Sequence, residues 1–212
     1  MKKFILALSF FAFAITTSSA QAKFGVQSSI GVSLAPDETT LSGEVFDYVN
    51  HEVTYKGTNL VKSYGLFGQQ KFGYLFARAE AAYTNYQQEY RVRSFVQFGQ
   101  GSKVVKESFQ YIDFQVLAGL THKNLRFGVG PVAHILLSDN NALDFISGAQ
   151  FKTRDLTFGF ATTVGLDAGR FHLDLRYINN FRTVGDHIYY GERDAGFKSK
   201  PHMVNLTFGV SI

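Results

Sequence analysis

From Thr157 to Leu166 the chain sets Phe158, Phe160, Thr162, Val164 and Leu166 against Thr157, Gly159, Ala161, Thr163 and Gly165. A period-two pattern predicts a strand with one oily face, because successive side chains of an extended chain point to opposite sides of a sheet. Asp167-Ala168-Gly169-Arg170 reads as a turn, and beyond it Phe171, Leu173, Leu175 and Tyr177 alternate with His172, Asp174, Arg176 and Ile178. The two arms predict a hairpin, each arm about as long as a tilted strand that crosses a bilayer.

The same unit recurs along the chain. Strand one sets Phe24, Val26, Ile30, Val32 and Leu34, with Ser28 the exception, against Gly25, Gln27, Ser29, Gly31, Ser33 and Ala35. Strand two, about Asn59 to Gln70, reads in either register, with Leu60, Tyr64 and Leu66 opposing Val61, Gly65 and Phe67. Strand three sets Leu75, Ala77, Ala79, Ala81 and Tyr83 against Phe76, Arg78, Glu80, Ala82 and Thr84. Strand four sets Ile112, Phe114, Val116, Ala118 and Leu120 against Tyr111, Asp113, Gln115, Leu117 and Gly119. Strand five sets Leu125, Phe127, Val129, Pro131, Ala133, Ile135 and Leu137 against Arg126, Gly128, Gly130, Val132, His134, Leu136 and Ser138. The hairpin above supplies strands six and seven, and Val204, Leu206, Phe208, Val210 and Ile212 against Asn205, Thr207, Gly209 and Ser211 make strand eight.

The connections sort by length. Lys71-Phe72-Gly73, Thr121 to Asn124 and Asp167 to Arg170 are short turns. Pro36 to Gly57, Gln87 to Glu107 around Gly99-Gln100-Gly101, Asp139 to Arg154 and Arg182 to Pro201 are long and polar. The first long interval reads as a surface loop with strand extensions at its ends, the second as a hairpin that continues strands three and four. Eight strands with long and short connections in strict alternation predict an all-β fold, an eight-stranded antiparallel up-and-down transmembrane β-barrel with both termini on the short-turn side. An even strand number lets the sheet close and leaves no unpaired edge, which hydrocarbon would penalise heavily. A lipocalin-like soluble barrel would carry its polar face outward, and here that face is too small and Gly-rich to coat a surface.

Composition agrees: 22 Phe, 11 Tyr and 20 Gly with three Pro favour strands and tight turns. Lys2 and Lys3, the apolar run Phe4 to Ile15 and Ala20-Gln21-Ala22 make the three-part pattern of a cleaved secretory signal over residues 1–22, leaving 23–212 as one barrel domain. Loss of those two lysines reduces 21 cations to 19 against 17 acids, a net charge of +2 where the full chain has +4, which removes the main argument for nucleic-acid binding. With no cysteine, an exported chain has no disulfide staples and depends on packing and backbone pairing.

The segments RFGVGPVAHILL at 126–137, FHLDLRYINNF at 171–181, YLFARAEAAY at 74–83 and the terminal VNLTFGVSI resemble the PorT-like outer-membrane β-barrel proteins, over nearly the whole mature chain. The resemblance implies an outer-membrane location after export across the inner membrane, and an envelope or secretion-related role. Partners expected on this reading are outer-membrane lipid, the barrel-insertion machinery and a surface or envelope protein met through the loops. Many outer-membrane barrels end in an aromatic residue. This chain ends in Ile212, with Phe208 the nearest aromatic on that face.

If the oily face is outward, Arg78, Glu80, Asp113, Arg126, His134, Asp174 and Arg176 point into the lumen as a structural polar network of pairable charges. Eight strands enclose a space that side chains fill, so the expectation is a plug and not a pore. Small membrane barrels can also be lipid-modifying enzymes, which need a Ser or His activated by an acid. Here the candidate pairs are His134 with Ser138 and His172 with Asp174. Both lie on the lumenal face, away from where a lipid would be met, so no catalytic residue is expected. His51, His187 and His202 are scattered without Cys, so neither metal nor cofactor is expected. Tyr48, Tyr55, Tyr86, Tyr90, Tyr177, Tyr189 and Tyr190 stand near the expected membrane boundary and supply aromatic-girdle candidates. Loop one is acidic, and loop two carries Arg91, Arg93, Lys103 and Lys106.

Overall fold

A computed structural model describes residues 22–34, 40–45, 49–58, 60–96, 99–140, 149–152, 155–181, 187–190, 193–195 and 202–212. The signal reading, apart from Ala22, lies outside the described residues, as does Tyr48. Thirteen strands are described: β1 (Ala22–Leu34), β2 (Thr40–Val45), β3 (Val49–Thr58), β4 (Val61–Phe72), β5 (Leu75–Val96), β6 (Gly99–His122), β7 (Leu125–Asn140), β8 (Ala149–Lys152), β9 (Leu156–Ala168), β10 (Phe171–Asn180), β11 (His187–Tyr190), β12 (Arg193–Ala195) and β13 (His202–Ser211). There is no helix among the described residues.

Eight of these strands close a barrel in the order β1, β4, β5, β6, β7, β9, β10, β13 and back to β1, every neighbour antiparallel. Register fixes its shape. Partners followed once around run Ala22, Gln70, Ala77, Ala118, Val129, Thr162, Tyr177, Val204, Val32, so the circuit returns 32 − 22 = 10 residues along β1. A stagger of ten residues at about 3.3 Å each, over eight interstrand steps of about 4.8 Å, tilts the strands by about 41° and gives each residue about 2.5 Å of height.

All three short connections are tighter than the sequence suggested. Two residues suffice in each, Gly73-Tyr74, Lys123-Asn124 and Gly169-Arg170, since Phe72 pairs Leu75, His122 pairs Leu125 and Ala168 pairs Phe171. The first residue of each has positive φ (63° for Gly73, 55° for Lys123, 63° for Gly169), the pattern of a type II′ connection whose twist matches the flanking strands. Lys71, Thr121 and Asp167, which had been counted in turns, are therefore strand residues.

Strand two is settled in one register: Val61, Ser63, Phe67 and Gln69 are buried inside, and Leu60, Tyr64 and Leu66 are exposed outside. Gly65 faces inward where a Cβ would stand 2.3 Å from the Ala81 carbonyl oxygen, so no side chain fits there.

On the long-connection side the intervals are more ordered than loops. Residues Thr40–Val45 and Val49–Thr58 form a hairpin whose β3 pairs with β5, from Asn50 opposite Phe95 to Thr58 opposite Gln88. With β5 and β6 it makes a four-stranded sheet continuous with the barrel wall. The expected continuation of strands three and four is present, but Gly99, Gln100 and Gly101 lie on β6 opposite Val96, Phe95 and Ser94, so they are not the turn. The intervals 139–154 and 182–201 contribute β8, β11 and β12, a separate three-stranded sheet. A bulge interrupts β6–β7, where Gln110 faces Ser138 but Tyr111 faces Leu136, so Leu137 is the extra residue.

Lys123 strains its turn and Gly169 does not. A left-handed conformation costs a non-Gly residue about 1–2 kcal/mol, partly offset by the entropy glycine loses on folding. Lys123→Gly is expected to raise unfolding stability by about 0.5–1 kcal/mol, and Gly169→Val to lower it by about 1–3 kcal/mol. Urea midpoints of the refolded barrel measure both, and a destabilising Lys123→Gly would contradict the turn assignment.

Candidate functional site

The interior is built by the inward half of each alternation. On β5 these positions bring Arg78 and Glu80, on β10 His172, Asp174 and Arg176, on β7 Arg126 and His134, and on β6 Asp113 and Gln115. All seven residues of the expected network face the interior, in two groups.

The larger group is a ladder of alternating sign. Arg126 Nη2 stands 2.7 Å from Asp174 Oδ1, and Arg78 Nη1 reaches Asp174 Oδ2 at 3.2 Å. Arg78 Nε meets Glu80 Oε1 at 2.7 Å, and Arg176 clasps both Glu80 oxygens, Nη1 to Oε2 at 2.7 Å and Nη2 to Oε1 at 2.9 Å. Two-point contact of a planar guanidinium with a carboxylate is among the stronger pairings available to side chains. Neutral amides fill the remaining positions. Gln27 accepts from Arg78 and donates to Glu80, Gln115 accepts from Arg176, and Gln69 accepts from Arg126. Phe67 lies under the Arg78 guanidinium at 4.0 Å. Room for the ladder comes from Gly165, where a Cβ would fall 2.0 Å from Asp174 Oδ1 and 3.0 Å from Arg126 Nη2.

Asp113 and His134 form the second group, nearer the long connections. They face each other across β6 and β7, with His134 Nδ1 2.7 Å from Asp113 Oδ1 and Nε2 3.0 Å from Asn180 Oδ1. Thr84 donates to Asp113 and pairs with Ser63. Tyr86, Phe109 and Tyr111 stack above this group and close the lumen toward the long connections. Tyr86 is thus a buried interior residue and takes no part in an exterior girdle. Between the two groups lies a cavity of about 30 Å³, bounded by Glu80, Gln115 and Arg176 on one side and Ser63, Thr84 and Asp113 on the other. That is room for about one water. Paired side chains flank that space on both sides.

Neither candidate catalytic pair forms. The β7 bulge shifts Ser138 onto the exposed outer face, away from the buried His134. His172 and Asp174 lie two residues apart on one strand, and the nearer acid is across the sheet. Register sets Asp167 directly opposite His172, with Nδ1 to Oδ1 at 2.8 Å. Nε2 of His172 meets Ser211 Oγ on β13. Asp167 also binds Arg126 Nε at 2.8 Å and Lys71 Nζ at 2.8 Å.

Sequence reasoning missed Lys71, Asp167 and Ser211 as partners, and Gln27, Gln69, Gln115 and Asn180 as members of the network. Carrying the alternation two residues further into the short turns would have found Lys71 and Asp167. The side chains of His51 and His187 lie outside the described residues, and His202 sits at an outer edge, stacked on Tyr177 and 3.1 Å from its hydroxyl. Among the described residues no three His, Asp or Glu are grouped to hold a metal.

No protein-family model and no curated protein matches this chain.

Breaking the ladder at Arg176 leaves Glu80 with one guanidinium where it had two. Arg176→Ala removes both contacts to the outer side of Glu80, and a buried pair broken from one end typically costs about 3–5 kcal/mol. The urea midpoint should fall accordingly. A change within about 0.5 kcal/mol would mean that water replaces the guanidinium at no loss, and that the interior is wetter than this packing implies.

Proposed function

We propose that the chain is an integral outer-membrane β-barrel of the PorT-like type, held in hydrocarbon by its outer face and plugged by its ion ladder. Its long connections act as a contact surface in an envelope or secretion-related role. The observation that carries this reading is the inversion of the usual arrangement. Leu66, Leu120, Phe127, Phe158, Leu166, Leu175 and Phe208 stand exposed on the outer wall, while Arg78, Arg126, His172 and Asp174 are almost wholly buried within. In water such an exterior would be a very large apolar patch, far beyond what soluble monomers expose. In a bilayer it is the required solvent-facing surface.

Dimensions support the same reading. On β9 the outward residues from Leu156 to Leu166 are apolar save Thr162, and ten steps of about 2.5 Å make a band of about 25 Å, the height typical of outer-membrane barrels. Aromatic residues mark its limits, with Phe72, Tyr74 and Phe171 exposed at the short-turn end and Tyr83, Tyr177 and Phe181 toward the other. Short turns then face the periplasm. From Tyr83 to Val96 strand β5 continues 13 steps, about 33 Å, carrying the β2–β3 hairpin well beyond the band. Loops held on a rigid wall are a common site of partner contact, and this sheet is where a surface or envelope protein would be met.

Leu175→Arg tests the lipid-facing assignment. Its side chain is on the outer wall near mid-band, where an Arg costs about 2–4 kcal/mol in hydrocarbon. Urea unfolding in lipid vesicles should show that loss, whereas unchanged stability and normal insertion would place the exterior in water. Membrane fractionation with migration before and after boiling checks the same claim independently, since a folded membrane barrel changes mobility when boiled.

The plug predicts electrical silence. In planar bilayers the purified barrel is expected to give no steady large conductance, because eight strands leave no open bore once side chains are packed. Reproducible nanosiemens steps would refute the plug while leaving the membrane assignment intact.

A further inference from the structure

We propose that Ser211, His172 and Asp167 form a nucleophilic triad at the short-turn mouth of the barrel, able to accept the acyl group of a small carboxylic ester. Three strands build it. His172 on β10 faces Asp167 on β9 in register, and its other nitrogen meets Ser211 at the end of β13. A hydroxyl, an imidazole that contacts it and an acid that orients the imidazole are the three parts an activated serine needs. As an ionised carboxylate, Asp167 can only accept, so it holds the His172 proton on Nδ1 and leaves Nε2 free to accept from Ser211. Arg126 and Lys71, each 2.8 Å from Asp167, fix that acid in place.

The plug does not require this arrangement. Lys71, Arg78, Arg126 and Arg176 already face Glu80, Asp113, Asp167 and Asp174 within the interior, four against four, so His172 adds nothing to charge balance. His134 offers the contrast: its two nitrogens face the carboxylate of Asp113 and the amide oxygen of Asn180. Position favours access as well. Ser211 ends β13, His172 is the second residue of β10, and Asp167 lies two before Gly169, so the group sits about 5 Å or less from the rim. Lys71 beside it is a quarter exposed, which places water and a positive charge at the same mouth.

The chemistry balances without a further reactant. Ser211 Oγ bonds to the ester carbonyl carbon as its proton passes to His172 Nε2. The tetrahedral intermediate collapses with cleavage of the bond to the alkoxy oxygen, which leaves with the His172 proton as an alcohol. Water then attacks the acyl-serine with His172 again taking the proton, and a carboxylic acid is released.

Diisopropyl fluorophosphate is a compact probe of such a serine, bonding through phosphorus with loss of fluoride. Folded protein in detergent micelles should be modified at Ser211, read by peptide mass spectrometry, at least about 100-fold faster than the same chain unfolded in urea. Ser211→Ala should abolish the modification. His172→Gln can still hydrogen-bond both neighbours as a packing residue would, so it should keep the strand circular-dichroism spectrum and the urea midpoint of the parent and yet lose the rapid labelling. Absence of labelling in the folded barrel, a rate no faster than in urea, or equal labelling of folded His172→Gln would overturn the proposal. Because the readout is taken in micelles, none of these outcomes depends on the outer-membrane assignment.

Discussion

A buried charge with no counterpart is the one thing this interior cannot contain. Isolated ionised groups cost several kcal/mol each in a confined space, so the ladder Arg126, Asp174, Arg78, Glu80, Arg176 holds together or fails as a unit. Glu80 is shared by two guanidinium groups, and Asp174 by those of Arg126 and Arg78 with Arg176 at 4.0 Å. The amides Gln27, Gln69 and Gln115 then take hydrogen bonds that charge pairing leaves over. Such a network specifies a single closed register more sharply than it adds net stability, since a slip of one residue on β5 or β10 would turn two of its five members to the outside.

Register is thus the link between the sequence and the plug. Glu80 and Arg176 are 96 residues apart in the chain, and the ten-residue stagger of the eight strands brings them to the barrel centre from opposite walls. Glycine at 65 and 165 is part of the same solution, because a wall this narrow has room for large charged groups only where facing positions have no side chain. The apolar exterior imposes no comparable specificity. Leu, Val and Phe alternate along its exposed positions with no pairing that fixes which stands where.

Much of this was legible in the chain. Alternation alone placed Arg78, Glu80, Asp113, Arg126, His134, Asp174 and Arg176 on one face of their strands, and alternation of connection length gave the barrel order. Alternation could not show which charges meet, because pairing across strands depends on register and stagger, which no local window contains. Hence His172 was matched with Asp174 on its own strand, when Asp167 opposite is its partner. Ser138 was matched with His134 because a bulge at Leu137 leaves no trace in a period-two reading. Turn lengths were overestimated for a related reason: polar Lys71 and Asp167 look like turn residues, but a sheet with a polar interior uses such residues on its inner face. Strand two was ambiguous because Tyr64 and Phe67 are both large and aromatic, and only the neighbours at Ala81 and Arg78 distinguish wall from core.

The two ends of the barrel are built on different principles. At the short-turn end, three two-residue connections hold the strands in tight register, and the polar groups there are fixed by several partners each, as Asp167 is by Lys71, Arg126 and His172. At the other end Tyr86, Phe109 and Tyr111 form an aromatic stack, and among the described residues the wall continues there as the β2-β3-β5-β6 sheet. Rigid geometry at one end suits chemistry that needs atoms held within tenths of an ångström, and an asymmetric projecting sheet at the other suits contact over an area. The ion ladder between them ties β5, β7 and β10 together across the interior.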